Sequence, residues 1–168
     1  FEASPEEQGL LVVDVRAVWH TIFDQGVDTD AGSVTQVMPD STLGAMFQAK
    51  PIEGLLIFAL DPHRYRLSEF EGHWCNDHPC MLPNYVTAPF LADSLAHLVA
   101  EVKRGQVTYL GSVEVKFVPR LFGKTNILVR LVRDPKRERQ VWSTLAKRAR
   151  KSAWAERIGA RSAGLDST

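Results

Sequence analysis

The stretch from residue 88 to residue 104, APFLADSLAHLVAEVKR, constrains the chain most. Leu91, Leu95, Leu98 and Val102 recur at helical spacing, with Ala92, Ala96 and Val99 beside them. So wide an apolar face predicts a helix over residues 88–104 that is enclosed on most sides. Pro89 suits its first turn, where a missing N–H would lack a helical partner anyway. Gly105 suits its end, because helices commonly close on a residue in the left-handed conformation. A helix of this kind needs other elements wrapped around it.

The flanking segments supply them. Residues 52–60 (IEGLLIFAL) are short and apolar, bounded by Pro51 and by Asp61-Pro62, which predicts a buried strand. In residues 107–118 (VTYLGSVEVKFV), Val113, Val115 and Phe117 alternate with Glu114 and Lys116, the period of a half-buried strand. Residues 126–132 (NILVRLV) predict another strand, with Pro119 and Gly123 punctuating the turn between the two. Nearer the start, Val15, Val18, Trp19, Ile22 and Phe23 fall at helical spacing, so residues 5–25 are expected to hold a helix. Residues 26–42, rich in Asp, Gly, Ser and Thr, are expected to form a loop. There are no internal repeats. One apolar helix with strands around it suggests an α+β layout.

The chain has 168 residues, which suits one domain of ordinary size. Apolar residues make up 45% of it, enough for a core, and no run approaches the ~18 needed to span a membrane. Cys75 and Cys80 are too few for a disulfide framework and favour a reducing, intracellular compartment, cytoplasm or an organelle such as the mitochondrion. A start at Phe1 fits a processed or trimmed product.

The net charge of zero conceals an asymmetry. Residues 1–132 carry 10 Lys and Arg against 16 Asp and Glu, whereas residues 133–168 carry 10 against 4. The expected organisation is an N-terminal helix and loop (1–45), a core (46–132) and a basic helical extension (133–168). Trp142, Leu145 and Ala149 form a thin apolar stripe in the extension. It is either a solvated amphipathic helix packed on the body or a contact for RNA, an anionic membrane surface or an acidic partner. Trp142 and Trp154 could stack on a partner or pack inward.

The busiest polar stretch is FEGHWCNDHPCMLPN, residues 70–84. His73, Cys75, His78 and Cys80 are zinc-ligand types, but their spacing is too compressed for a zinc knuckle, and no metal is expected. His73 is either a loop histidine bonded to backbone or a functional group. Asp93 and His97 lie one helical turn apart, as a structural pair or as part of a site.

Taken in order, Gly72-His73-Trp74, His78-Pro79-Cys80-Met81-Leu82-Pro83, Asp93-Ser94-Leu95-Ala96-His97, then Gly111, Phe117, Pro119 and Gly123 resemble the hot-dog fold. More narrowly, they resemble the β-hydroxyacyl-acyl-carrier-protein dehydratases and related thioesterases. The resemblance covers roughly residues 52–132. It implies a curved antiparallel sheet wrapped around one long central helix, a homodimer, and an acyl-carrier-protein or CoA thioester as substrate, with no cofactor. His73 would be the base and Asp93 the acid, with Asn84, Pro83 and His97 contacting substrate. A histidine suits a base because its pKa lies near neutrality, and burial can keep an aspartate protonated. Donors are also needed for the developing enolate oxygen. Three departures favour the alternative of a non-catalytic hot-dog subunit in a larger assembly, mitochondrial or ribonucleoprotein. Asn84 stands where the family has Gly, the stretch from His73 to Asp93 is longer, and the basic extension replaces the closing strands. An acyl thioesterase is a further alternative.

Overall fold

The computed structural model describes residues 4–20, 26–28, 34–39, 47–49, 55–74, 84–89, 98–118 and 126–166. At its centre is β1 (Gly9–His20), with the sequence GLLVVDVRAVWH. Leu11, Val13 and Val15 face one hydrophobic cluster, and Leu10 and Val12 face another. A strand buried on both sides is near-continuously apolar and loses its alternation. This overturns the helix expected in residues 5–25. Where almost every position is apolar, a helical stripe can be picked out by coincidence, and β-branched valines favour the strand.

Both edges of β1 are paired. β9 (Val107–Val118) runs parallel to it from Leu10 to Trp19, and β10 (Asn126–Val132) runs antiparallel to β9. On the other edge, β5 (Leu55–Leu60) covers Gly9–Asp14, and β2 (Gly26–Asp28) covers Val18–His20, both antiparallel. The sheet is therefore mixed, not purely antiparallel. The β1–β9 register slips between Val12 and Val13, opposite Tyr109 and Gly111. Gly111 has φ +127° there, and a Cβ at that position would lie 2.9 Å from Leu131 Cδ1. Only glycine meets both demands without strain.

The second sheet is built on β6 (His63–Trp74). β3 (Val34–Pro39) lies along one edge, followed by β4 (Phe47–Ala49). The other edge is shared: β8 (Val99–Val102) pairs with His63–Arg66, and β7 (Asn84–Pro89) pairs with Glu69–Trp74. Two strands thus lie in the region expected to be loop, residues 26–42. Tyr65, Leu67, Leu98, Ala100 and Val102 from this side join Leu11, Val13, Leu56, Phe58, Leu60, Val113 and Val115 in one core.

The helix expected over residues 88–104 does not span that range. Ala88 and Pro89 end β7, Val99–Val102 form β8, and residues 90–97 lie outside the described residues. Along β8, Ala100 and Val102 are buried while Glu101 is exposed, a period of two. The tertiary pairing with β6 overrides the helical spacing. Gly105 then serves a tight turn between β8 and β9 with φ +69°, rather than a helix end. Strands within the expected segments 52–60, 107–118 and 126–132 are present.

The basic extension forms two helices, α1 (Pro135–Ala149) and α2 (Ala155–Asp166). Asp134 caps α1, accepting from the backbone N–H groups of Lys136 at 2.9 Å and Arg137 at 3.3 Å. Val141, Trp142, Leu145 and Ala149 from α1 join Trp154 and Ile158 against Leu10, Val12 and Leu55 on the outer face of the first sheet. The described residues are α+β: a mixed sheet and an antiparallel sheet with a common core, and a helix pair over one outer face.

Two glycine substitutions test this arrangement with opposite signs. Gly111→Ala should destabilise by roughly 1–3 kcal/mol, because it forces a side chain into a positive-φ position against Leu131. Gly159→Ala lies on α2, where a new Cβ meets nothing within 4 Å. It should stabilise by roughly 0.5–1 kcal/mol. Urea midpoints at constant m-value measure both.

Candidate functional site

A carboxylate stands in the middle of β1. Asp14 is 0% exposed, in a run that is otherwise apolar from Leu10 to Val15. It shares a register position with Ser112 of β9, whose hydroxyl donates to Asp14 Oδ2 at 2.6 Å. Arg137, in the first turn of α1, grips the same carboxylate with two bonds. Nε donates to Oδ2 at 2.8 Å and Nη2 to Oδ1 at 2.7 Å. This bidentate geometry is the strongest form of an arginine–carboxylate contact.

Proton accounting orients the next member. The single hydroxyl proton of Ser112 goes to Asp14, so the 3.2 Å contact with the Tyr109 hydroxyl is a bond donated by Tyr109. Burial, aided by the nearby Asp14 charge, pushes the Tyr109 phenol above its ordinary 10.0. The hydrogen bonds to Asp14 hold the Arg137 guanidinium above its ordinary value. The network is a clamp that joins helix, strand and strand. Its chemistry is that of positioning, since both oxygens of the carboxylate are engaged by Arg137.

Beside the clamp is a groove of about 410 Å³ between β9 and the helix pair. Val107 and Tyr109 line one side, and Glu138, Trp142, Arg157 and Arg161 line the other. Arg161 lies with its guanidinium carbon 5.9 Å from the Trp142 ring centroid. A second groove, of about 620 Å³, is lined by His63, Arg64, Glu101, Lys103 and Arg104, at the end where the β5–β6 and β8–β9 turns meet.

The residues singled out from the resemblance do not meet at a described site. His73 pairs with Tyr85, and Asn84 with Trp74, so both lie in the β6–β7 hairpin. Pro83, Asp93 and His97 lie outside the described residues, as do Cys75, His78 and Cys80. Among the described residues, no cluster of His, Cys, Asp or Glu is arranged to hold a metal ion. The clamp escaped the sequence reading, although one signal was present: a lone Asp inside LLVVDV. A charge embedded in a buried run must have a partner.

The clamp has measurable consequences. Asp14→Ala should cost about 3 kcal/mol, the low end for breaking a buried pair, since the Arg137 side chain remains 32% exposed and can rehydrate. The double change Asp14→Leu with Arg137→Met should recover most of that loss in urea melts. Tyr109 contributes stability that is fully present below pH 10 and is lost as pH rises through its raised value. Tyr109→Phe should therefore flatten the alkaline limb of a stability–pH profile. Comparison with known proteins found no matching family model, curated protein or solved structure.

Proposed function

We propose that the chain is a non-catalytic module of a larger assembly that docks an acidic protein partner on its basic helix pair. The observation that carries this is the way the helices face. Their apolar residues are spent on the sheet: Trp142 is 1% exposed, and Leu145, Trp154 and Ile158 are 0% exposed. Cations are left on the outside, with Lys147, Arg148, Arg150 and Lys151 exposed around the end of α1. Two of these, Lys147 and Arg148, complement the helix dipole. Among the described residues, no carboxylate pairs with Lys147, Arg150 or Lys151.

An acidic protein fits this face better than RNA does. Both tryptophans of the extension are buried, which removes the stacking platforms that single-stranded nucleic acid uses. The body is acidic and the sequence pI is near 7.1, well below the strongly basic range of nucleic-acid modules. Membrane insertion has no support from the helices, since among the described residues none is long and apolar enough to cross.

A second reading keeps the hot-dog acyl-thioester chemistry, with dehydration favoured over thioester hydrolysis. The ordered matches from Gly72 to Gly123 support it, and His73 near the end of β6 keeps a place at a strand terminus. Here His73 and Asp93, contributed across a homodimer, would act on an acyl-carrier-protein or CoA thioester.

Fluorescence anisotropy with a labelled poly-glutamate peptide and a labelled poly-uridylate RNA of equal charge tests the docking reading. Poly-glutamate should bind more tightly than poly-uridylate. Reversing Lys147, Arg150 and Lys151 to Glu should weaken it roughly tenfold or more at low salt. Tighter binding of poly-uridylate would overturn the choice of partner. For the acyl-thioester reading, turnover of β-hydroxyacyl thioesters should be present and should vanish in His73→Ala and Asp93→Ala. Absence of turnover at every chain length removes it.

A further inference from the structure

We infer that the groove between β9 and α2 binds a small aromatic monocarboxylate, its carboxylate between Arg157 and Arg161 and its ring against Tyr109 and Val107. This site stands independently of the acidic partner proposed above.

Arg157 and Arg161 are four residues apart on α2, so their side chains leave the same face one turn apart. Both line the groove. Arg161 is pre-positioned: it lies over the Trp142 ring at 5.9 Å, within cation–π range, and its Nη2 is 3.7 Å from Glu138 Oε1. Glu138 is itself held, accepting from Trp142 Nε1 at 3.3 Å. The wall opposite is equally fixed, because the Tyr109 hydroxyl is tied to Ser112 and so to the clamp. The ring of Tyr109, rather than its proton, is what the groove offers. A volume of about 410 Å³ lies in the range of small-molecule sites.

A carboxylate already rests on one of these arginines. Glu6, in the turn before β1, places Oε1 3.3 Å from Arg157 Nη2. Its side chain is 84% exposed, so the contact is weak and readily exchanged. Glu6 is thus an internal stand-in for the ligand's carboxylate. When it swings out, two guanidinium groups and Glu138 leave a net charge of +1 at the groove. One monoanion neutralises that, whereas a phosphate dianion overshoots it. The Tyr109 ring and the apolar Val107 side chain reward an aromatic body over a bare acid.

The experiment is a titration of uniformly 15N-labelled full-length protein with benzoate, following the Trp142 indole N–H, whose acceptor Glu138 lines the groove. Acetate, inorganic phosphate and the cation benzamidine serve as comparisons. Benzoate should give saturable shifts at Trp142, acetate and phosphate should bind more weakly, and benzamidine should not bind. Arg157→Gln with Arg161→Gln should abolish the benzoate response and leave the rest of the spectrum in place. Glu6→Gln should tighten benzoate about two- to fivefold, the release of an exposed competing pair. The inference is overturned by a linear, non-saturating benzoate response. An equal response to benzamidine, unchanged binding in the double arginine variant, or weaker binding in Glu6→Gln would overturn it as well.

Discussion

A buried carboxylate cannot be left alone, and in this protein Asp14 sets the terms for everything packed around it. Removing a charge from water costs several kcal/mol unless an opposite charge and hydrogen bonds replace the lost hydration. Ser112 and Arg137 supply that replacement from two places distant in sequence, 98 and 123 residues away. Three bonds of 2.6–2.8 Å are satisfied in only one arrangement: β9 in register beside β1, and the first turn of α1 over both. Apolar burial is tolerant of small shifts, while a bidentate arginine is not. The apolar residues of β1, β5 and the helix pair drive association. The clamp selects the alignment in which they associate.

That alignment explains how the two ends of the chain divide their work. β1 is sandwiched, with one face in the core shared by the two sheets and the other under α1 and α2. Covering the outer face consumes the apolar stripe of the extension, including both of its tryptophans. The positive charge then has nowhere to go but outward. The basic face and the groove beside α2 are both by-products of the same docking, and both derive their rigidity from it. Tyr109 links the two directly, being at once the last member of the clamp and a wall of the groove.

Three strands of the first sheet were legible before the structure, and none of the second. The segments 52–60, 107–118 and 126–132 were visible as strands because punctuation bounds them or one side is polar. The helical, basic character of residues 133–168 was equally plain, although the break at residues 150–154 that makes two helices of it was not. Residues 9–20 failed for the opposite reason. Val12, Val13 and Val15 are apolar whichever way they point, so period carries no information there. The helical expectation failed at Val99–Val102 because two patterns coexist there. Leu98, Ala100 and Val102 alternate as well as Leu91, Leu95, Leu98 and Val102 step by turns. Which pattern is used depends on whether β6 offers an edge at His63–Arg66. Of the site residues carried over from the dehydratase resemblance, Asp93 and His97 were expected on that helix, and only His73 and Asn84 have a described backbone position.

By itself the sequence determined local choices: where polar residues alternate, where Pro and Gly end an element, where charge of one sign accumulates, and that one Asp lies in an apolar run. Tertiary structure decided the partners. It decided that Asp14 meets Ser112 and Arg137, that Trp142 and Trp154 point at the sheet and not at solvent, and that Val99–Val102 is a strand. The physical reason is that pairing and burial are properties of two segments at once. A chain read one segment at a time displays the need for a partner, and only the folded chain shows which one meets it.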